Sequence, residues 1–286
     1  MNRAQKDRSI GRSLQEYLRG IAGGVMFSLP LLYTMEVWWA GFTMNPLRLL
    51  LYVLATFTLL LGYNRYAGLR CDFTTLEVAI DSVEEMGLGM AISAVVLWLL
   101  GQITTTMPGS EVAGKIIIES MTVAIGVSVG TAQLGGSKDN GDTGMEDKLT
   151  PFLLENSDLM PQVAIATCGA VLFAANVAPT EEIIIIATQT TTFKLVGMAI
   201  LSMVFGSLIL FYSDFSGTQS FTKSRGIKTV FGSAVITYAI ALLVSAAILW
   251  VFGRFDDTSA IVCLSETVVL GLAATLGASA GRILLQ

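Results

Sequence analysis

Long apolar runs separated by short polar stretches leave this chain one general architecture. Eight runs approach the roughly 20 residues a helix needs to cross a hydrocarbon core. They are Gly20–Gly41, Leu47–Tyr63, Gly87–Ile103, Ile116–Leu134, Val163–Ala187, Leu195–Tyr212, Val230–Phe252 and Ile261–Leu285. No water reaches backbone N–H and C=O groups in that core, so such runs must close their own hydrogen bonds as helices. Only 14% of residues are charged and mean hydropathy is +0.68, whereas about a quarter of a soluble domain is charged. The expected fold class is an all-α polytopic membrane protein of about eight transmembrane helices, with the lipid bilayer as its first partner.

Loop charges set the expected orientation. With the N-terminus inside, Arg65, Arg70, Lys138, Lys148, Lys223, Arg225 and Lys228 are cytoplasmic, and only Arg48, Lys115, Lys194 and Arg254 lie outside. Lys and Arg accumulate on the cytoplasmic side, so both termini are expected there. The basic N-terminal stretch runs into an apolar segment with no small-residue cleavage site, and that segment is expected to remain as the first span. Ser9 to Leu18 reads as an amphipathic helix lying on the membrane surface.

The chain also matches itself. Phe27–Glu36 aligns without a gap on Phe173–Glu182, and the register continues to set Arg48 against Lys194. Ser93–Gln102 aligns on Ser245–Arg254 with five identities, including a tryptophan, and Gly126–Gly130 aligns on Gly277–Gly281. Two four-helix repeats, 20–134 and 161–286, are expected, preceded by the cytoplasmic segment 1–19 and joined by an acidic cytoplasmic linker, 135–160. An even number of spans per unit makes the repeats parallel, related by an axis along the membrane normal. The linker begins Gly-Gly-Ser-Lys-Asp-Asn-Gly, a flexible connection. Glu77, Asp81 and Glu84 before the third span face a basic counterpart, Lys223, Arg225 and Lys228, before the seventh. The two loops either dock or are separately solvated, since exposed ion pairs contribute little.

Carboxylates inside apolar helices are costly and mark functional sites by default. Glu36 and Glu182 occupy matching places in the two units, with Glu181 beside the second. Glu119 and Glu266 lie just inside the outer starts of the fourth and eighth spans, so all are expected to line one acidic vestibule on the pseudo-two-fold axis. Pro30 and Pro179 precede the first two glutamates, with Thr34 and Thr180 between. Pro-Thr-Glu-Glu is how a helix begins, so the fifth span is expected to break, with Thr180 to Gln189 as a second short helix. The alternative is that these glutamates cap helices in the outer headgroup region, the level that Trp38 and Trp39 favour.

Several chemistries are disfavoured. The chain has no histidine, and Cys71, Cys168 and Cys263 are scattered. Gly126-Val-Ser-Val-Gly130 and Gly277-Ala-Ser-Ala-Gly281 match the nucleophile elbow GxSxG, but no Ser-His pair can be assembled. The same glycines spell GxxxG, which lets membrane helices approach closely, and they are expected to join the fourth and eighth helices, within one chain or across a homo-oligomer. No phosphate loop, cofactor, nucleic-acid partner or enzyme activity is expected. Carboxylates, hydroxyls and main-chain carbonyls are hard donors suited to sodium, calcium, magnesium or protons; any metal would fall to Glu36 and Glu182.

The segments Gly23–Pro30, Thr34–Trp39 and Ala178–Glu182 carry a resemblance. The chain resembles a family of bacterial integral membrane proteins of unknown function, over essentially its whole length. The resemblance implies a multi-pass protein of the bacterial inner membrane and supplies no catalytic residue. The expected function is movement of a hard cation or proton, as channel or exchanger. The alternative is a non-transporting sensor or assembly protein acting through its acidic linker.

Overall fold

A computed structural model describes residues 15, 17–26, 34–67, 74–133, 159–217 and 227–284. The described residues are helical apart from short turns, with no strand among them. In chain order the helices are α1 (17–26), α2 (Met35–Thr43), α3 (Pro46–Ala67), α4 (Thr75–Leu99), α5 (Gly109–Gln133), α6 (Leu159–Val177), α7 (Glu181–Gln189), α8 (Thr192–Gly217), α9 (Ile227–Val251) and α10 (Ala260–Leu284). Seven of them, α3 to α6 and α8 to α10, are long and apolar enough to cross a membrane. The expected first span appears as α1 and α2, with Pro30 outside the described residues. Most of the surface helix Ser9–Leu18, nearly all of the linker and the side chains of Lys223, Arg225 and Lys228 also lie outside them.

The chain's own punctuation sets the helix ends. Thr74 caps α4 through a capping box, its hydroxyl accepting from Glu77 N while the Glu77 carboxylate accepts from Thr74 N, which satisfies two end donors at once. Asn45 Oδ1 accepts from Leu47 N at 2.9 Å, and Pro46 opens α3, the position where a missing N–H costs nothing. The ends of α4 and α9 are built alike. Gly101 and Gly253 take left-handed φ of 72° and 75°. Gln102 N then donates to Leu97 O at 2.8 Å, and Arg254 N to Leu249 O at 2.9 Å. Both ends are Schellman turns, which need a residue without a Cβ at the left-handed position.

Further likenesses join the two halves. α2 and α7 are both nine residues, displaced by 146 at each end (Met35 to Glu181, Thr43 to Gln189). α3 and α8 start with the same displacement, Pro46 to Thr192. α4 and α9 are displaced by 152 at both ends (Thr75 to Ile227, Leu99 to Val251), and α5 and α10 by 151 (Gly109 to Ala260, Gln133 to Leu284).

The glycines pack differently from expectation. A Cβ on Gly23 of α1 would meet Gly130 Cα at 2.3 Å and Gly126 O at 2.7 Å. A Cβ on Gly169 of α6 would meet Gly277 O at 2.2 Å and Gly281 Cα at 3.2 Å. The GxxxG motifs of α5 and α10 therefore seat α1 and α6, each inside its own half, and do not join the fourth span to the eighth. The reason is geometric: each motif faces a third glycine, and three small residues let two backbones touch. The result buries α5 almost entirely and makes α10 the hub of the second half, packed on α6, α7, α8 and α9. Gly169→Leu should destabilise the protein by at least about 1–3 kcal/mol through overpacking. Gly197→Leu on α8, where nothing lies within 4 Å, should leave thermal unfolding in detergent almost unchanged; equal effects would refute this packing.

Candidate functional site: carboxyl groups at the helix break and inside the bundle

The expected break is present. α6 stops at Val177, where Ala178 N still reaches Ala174 O at 2.8 Å, and α7 starts at Glu181 with Thr180 at its N-cap, ψ 151°. Pro179 cannot donate a backbone hydrogen bond and its ring clashes with a continuing helix. Two side chains seal the gap: Thr180 Oγ1 donates to Val177 O at 2.8 Å, and the Arg254 guanidinium donates to Pro179 O. Thr34 stands in the matching N-cap position before α2.

The glutamates at the breaks occupy first turns. Glu181 and Glu182 are exposed in the first turn of α7, and Glu36 is half-buried in the first turn of α2. Carboxylates are stabilised there by the helix dipole. α2 packs on α5 and α7 on α10, so Glu36 and Glu182 are held by different helix pairs.

Glu119 and Glu266 are the deeply buried members, at 0% and 1% exposure. Their register is not the symmetric one expected. The displacement of 151 between α5 and α10 sets Glu266 against Lys115, and Glu119 against Leu270 one turn further along. The charge is thus reversed between halves. Lys115 Nζ donates to Gln102 O at 3.2 Å and pairs with Glu111 at 2.8 Å. In the second half the carboxylate sits on the helix, and Arg254, in the place of Gln102, acts electrostatically on Glu266.

Among the described residues neither oxygen of Glu119 meets full hydrogen-bond geometry, and the donor that acts on the carboxyl is the Trp38 indole N–H. The group sits where α2, α3 and α5 meet, with the Trp38 indole N–H as its nearby donor and Tyr52 within electrostatic reach. Tyr52 belongs to an apolar cluster with Val37, Ile118, Met121 and Val251, from the three helices that meet at Glu119 and from α9. A carboxyl in such surroundings is far cheaper to hold neutral than charged.

Sequence reasoning missed a second buried constellation. Asn64 Nδ2 donates to Glu85 Oε2 at 2.7 Å and to Ser82 Oγ at 3.1 Å, while Ser128 Oγ donates to Asn64 Oδ1 at 2.9 Å. In the sequence Glu85 is the fourth acidic residue before the third span and lies off the face shared by Glu77, Asp81 and Glu84. The signal was present, because Glu85 falls on the stripe Val78, Ser82, Gly89, Ile92 that α4 buries.

Arg48 and Asp256 tie the two halves at the end carrying the 100–108 and 252–259 turns. Arg48 donates to both Asp256 oxygens, at 2.6 and 2.7 Å, and its guanidinium lies 5.2 Å from the Trp250 ring. Those hydrogen bonds hold the Asp256 carboxyl below its usual range.

Among the described residues, ten helices, seven of them spanning in length and composition, with carboxyl groups buried among them, define a polytopic integral membrane protein. The matching family model, described as "Putative integral membrane protein (DUF2391)", covers residues 16–285, and the chain belongs to that family, whose function is unknown. No curated protein and no solved structure matches the chain.

A carboxylate with a depressed folded pKa adds stability above its unfolded pKa, about 3.9, and loses it as pH falls through the folded value. The Arg48–Asp256 contribution should therefore be intact at neutral pH and fade below about pH 4. Asp256→Asn should flatten the acid limb of a Tm-against-pH curve; an unchanged limb would show that the pair contributes nothing to folding.

Proposed function

We propose that this protein moves protons, or a hard cation in exchange for them, across a bacterial inner membrane through the first-half bundle, within a chain made of two parallel four-helix units. The observation that carries the reading is Glu119, a fully buried carboxyl with no basic partner among the described residues and only the Trp38 indole N–H as a nearby donor. Ionisable groups inside membrane helices pair with one another or form proton relays. Glu119 instead has an indole N–H and a phenol nearby, surroundings that suit a group taking up and releasing a proton.

A route away from Glu119 is supported by Tyr52 and Thr56 on the buried face of α3, which continues through Leu60 to Asn64. It leads towards Glu85. Nine residues of α5 separate Glu119 from Ser128, about 14 Å of helical rise. The displacements of α2, α4 and α5 onto α7, α9 and α10, each the same at both helix ends, support the duplicated unit. The loop-charge asymmetry supports cytoplasmic termini.

The test is flux into liposomes holding the purified protein, with a pH dye and imposed gradients of H+, Na+, K+ and Ca2+. Proton-coupled flux should appear in the wild type, vanish in Glu119→Gln, and persist in Glu36→Gln/Glu182→Gln. Absence of flux for every cation, with and without a membrane potential, would rule out transport. Loss of flux in the Glu36/Glu182 variant with retention in Glu119→Gln would move the site to the helix breaks.

A further inference from the structure

Asn64, Glu85 and Ser128 come from three different helices and meet as a triangle. Ser128 Oγ of α5 donates to Asn64 Oδ1 at 2.9 Å, and Asn64 Nδ2 of α3 donates to Glu85 Oε2 of α4 at 2.7 Å. Ser128 acts in turn on the Glu85 carboxyl. The triangle is short of one hydrogen. An amide side chain offers two and a hydroxyl one. One amide hydrogen goes to Ser82 Oγ at 3.1 Å, and Ser82 directs its own to Val78 O at 2.8 Å. Two hydrogens remain for three sides. With Glu85 ionised, Asn64 Oδ1 and the carboxylate compete for the single Ser128 hydrogen; with Glu85 neutral, its own O–H completes the third side. Turning the Asn64 amide over would set its oxygen against Glu85 Oε2, which again calls for a hydrogen on the carboxyl.

The charges around the triangle point the same way. On its own helix Asp81 and Glu84 act on Glu85, and from α6 the Cys168 thiol faces it. From α5 comes the Ser128 hydroxyl, and neither Arg19 of α1 nor Arg65 of α3 is among the groups acting on it. A carboxyl inside a bundle beside two other carboxylates is cheaper to hold neutral than charged. Yet Glu85 is not sealed in: it is half-buried, one turn from Asp81 and next to exposed Glu84, so a proton can reach it from the start of α4.

We infer that Glu85 is a proton-binding site, and that the bound proton closes a hydrogen-bond ring, Ser128 to Asn64 to Glu85 to Ser128, that ties α3, α4 and α5 together. Its role as the far station of the route from Glu119 rests on the transport reading. The bound proton itself is measured without flux, so either can fail alone. The second half has no equivalent: the positions matching Glu85, Ser82, Asn64 and Ser128 are Thr237, Ala234, Leu210 and Ser279.

The test is infrared absorption of the full chain purified in detergent at about pH 7, where a free glutamate, with a pKa of about 4.3, is ionised. Glu85→Gln keeps the ring, since its amide can accept from Asn64 and donate to Ser128, so the variant is expected to fold. The difference between wild type and Glu85→Gln should contain the C=O band of one neutral carboxylic acid. Carboxylate bands in its place would overturn the proposal. Ser128→Ala removes the acceptor of the Glu85 O–H and should move that C=O band to higher frequency; a band left where it was would overturn the ring. Should Glu85→Gln fail to fold, wild type against Ser128→Ala decides alone, a displaced carbonyl band being the expected result and its absence the refuting one.

Discussion

Backbone-to-backbone contact between helices is the constraint on which the rest of this bundle depends. In a bilayer, apolar side chains gain little by leaving lipid for one another, so close packing and polar contacts hold helices together. At Gly23 against Gly130, and Gly169 against Gly277, there is no room for a single added carbon. That approach presses α1 onto α5 and α6 onto α10. The same closeness brings the α9–α10 turn over the break after α6, where Arg254 reaches the Pro179 carbonyl. A break in a spanning helix is tolerated only when something else satisfies the freed backbone groups, and here that group comes from a different helix pair.

The halves share a frame and differ in their electrostatics. Helix lengths, turn geometry and the glycine contacts recur with nearly fixed displacements. The charges do not recur: lysine on α5 answers glutamate on α10, and the Asn64–Glu85 cluster has only Leu210 and Thr237 opposite it. Frame positions are set by backbone contact, which tolerates few residue types, whereas side chains pointing into small internal spaces are free to diverge once each finds its own local solution.

Much of the frame was legible in the sequence. Long apolar runs gave the spanning helices, and Pro179 followed by Thr-Glu-Glu gave the break and its new helix start, because those effects are local to the chain. The site was less legible. Glu36 and Glu182 recur, and recurrence pointed to them, yet the first turn of a short helix offers exposed places that a carboxylate fills comfortably. Depth counted along a helix says nothing about rotation around it, and rotation is what separates buried Glu119 from exposed Glu182. Glu85 was obscured by its charged neighbours, although it lies off their face. The GxxxG motifs announced close approach without naming the partner, since a stripe of small residues fits any helix with a matching gap.

The charge reversal at Lys115 and Glu266 bears on how such a chain can change. A duplicated unit whose copies remain interchangeable could be replaced by two identical subunits. Here, two first halves would each bring a lysine and lack the arginine that seals the second break. Two second halves would forfeit the Asn64–Glu85 cluster and the Arg48–Asp256 tie. Each half carries charged contacts that the other lacks, so neither could stand in for the other without losing some of them.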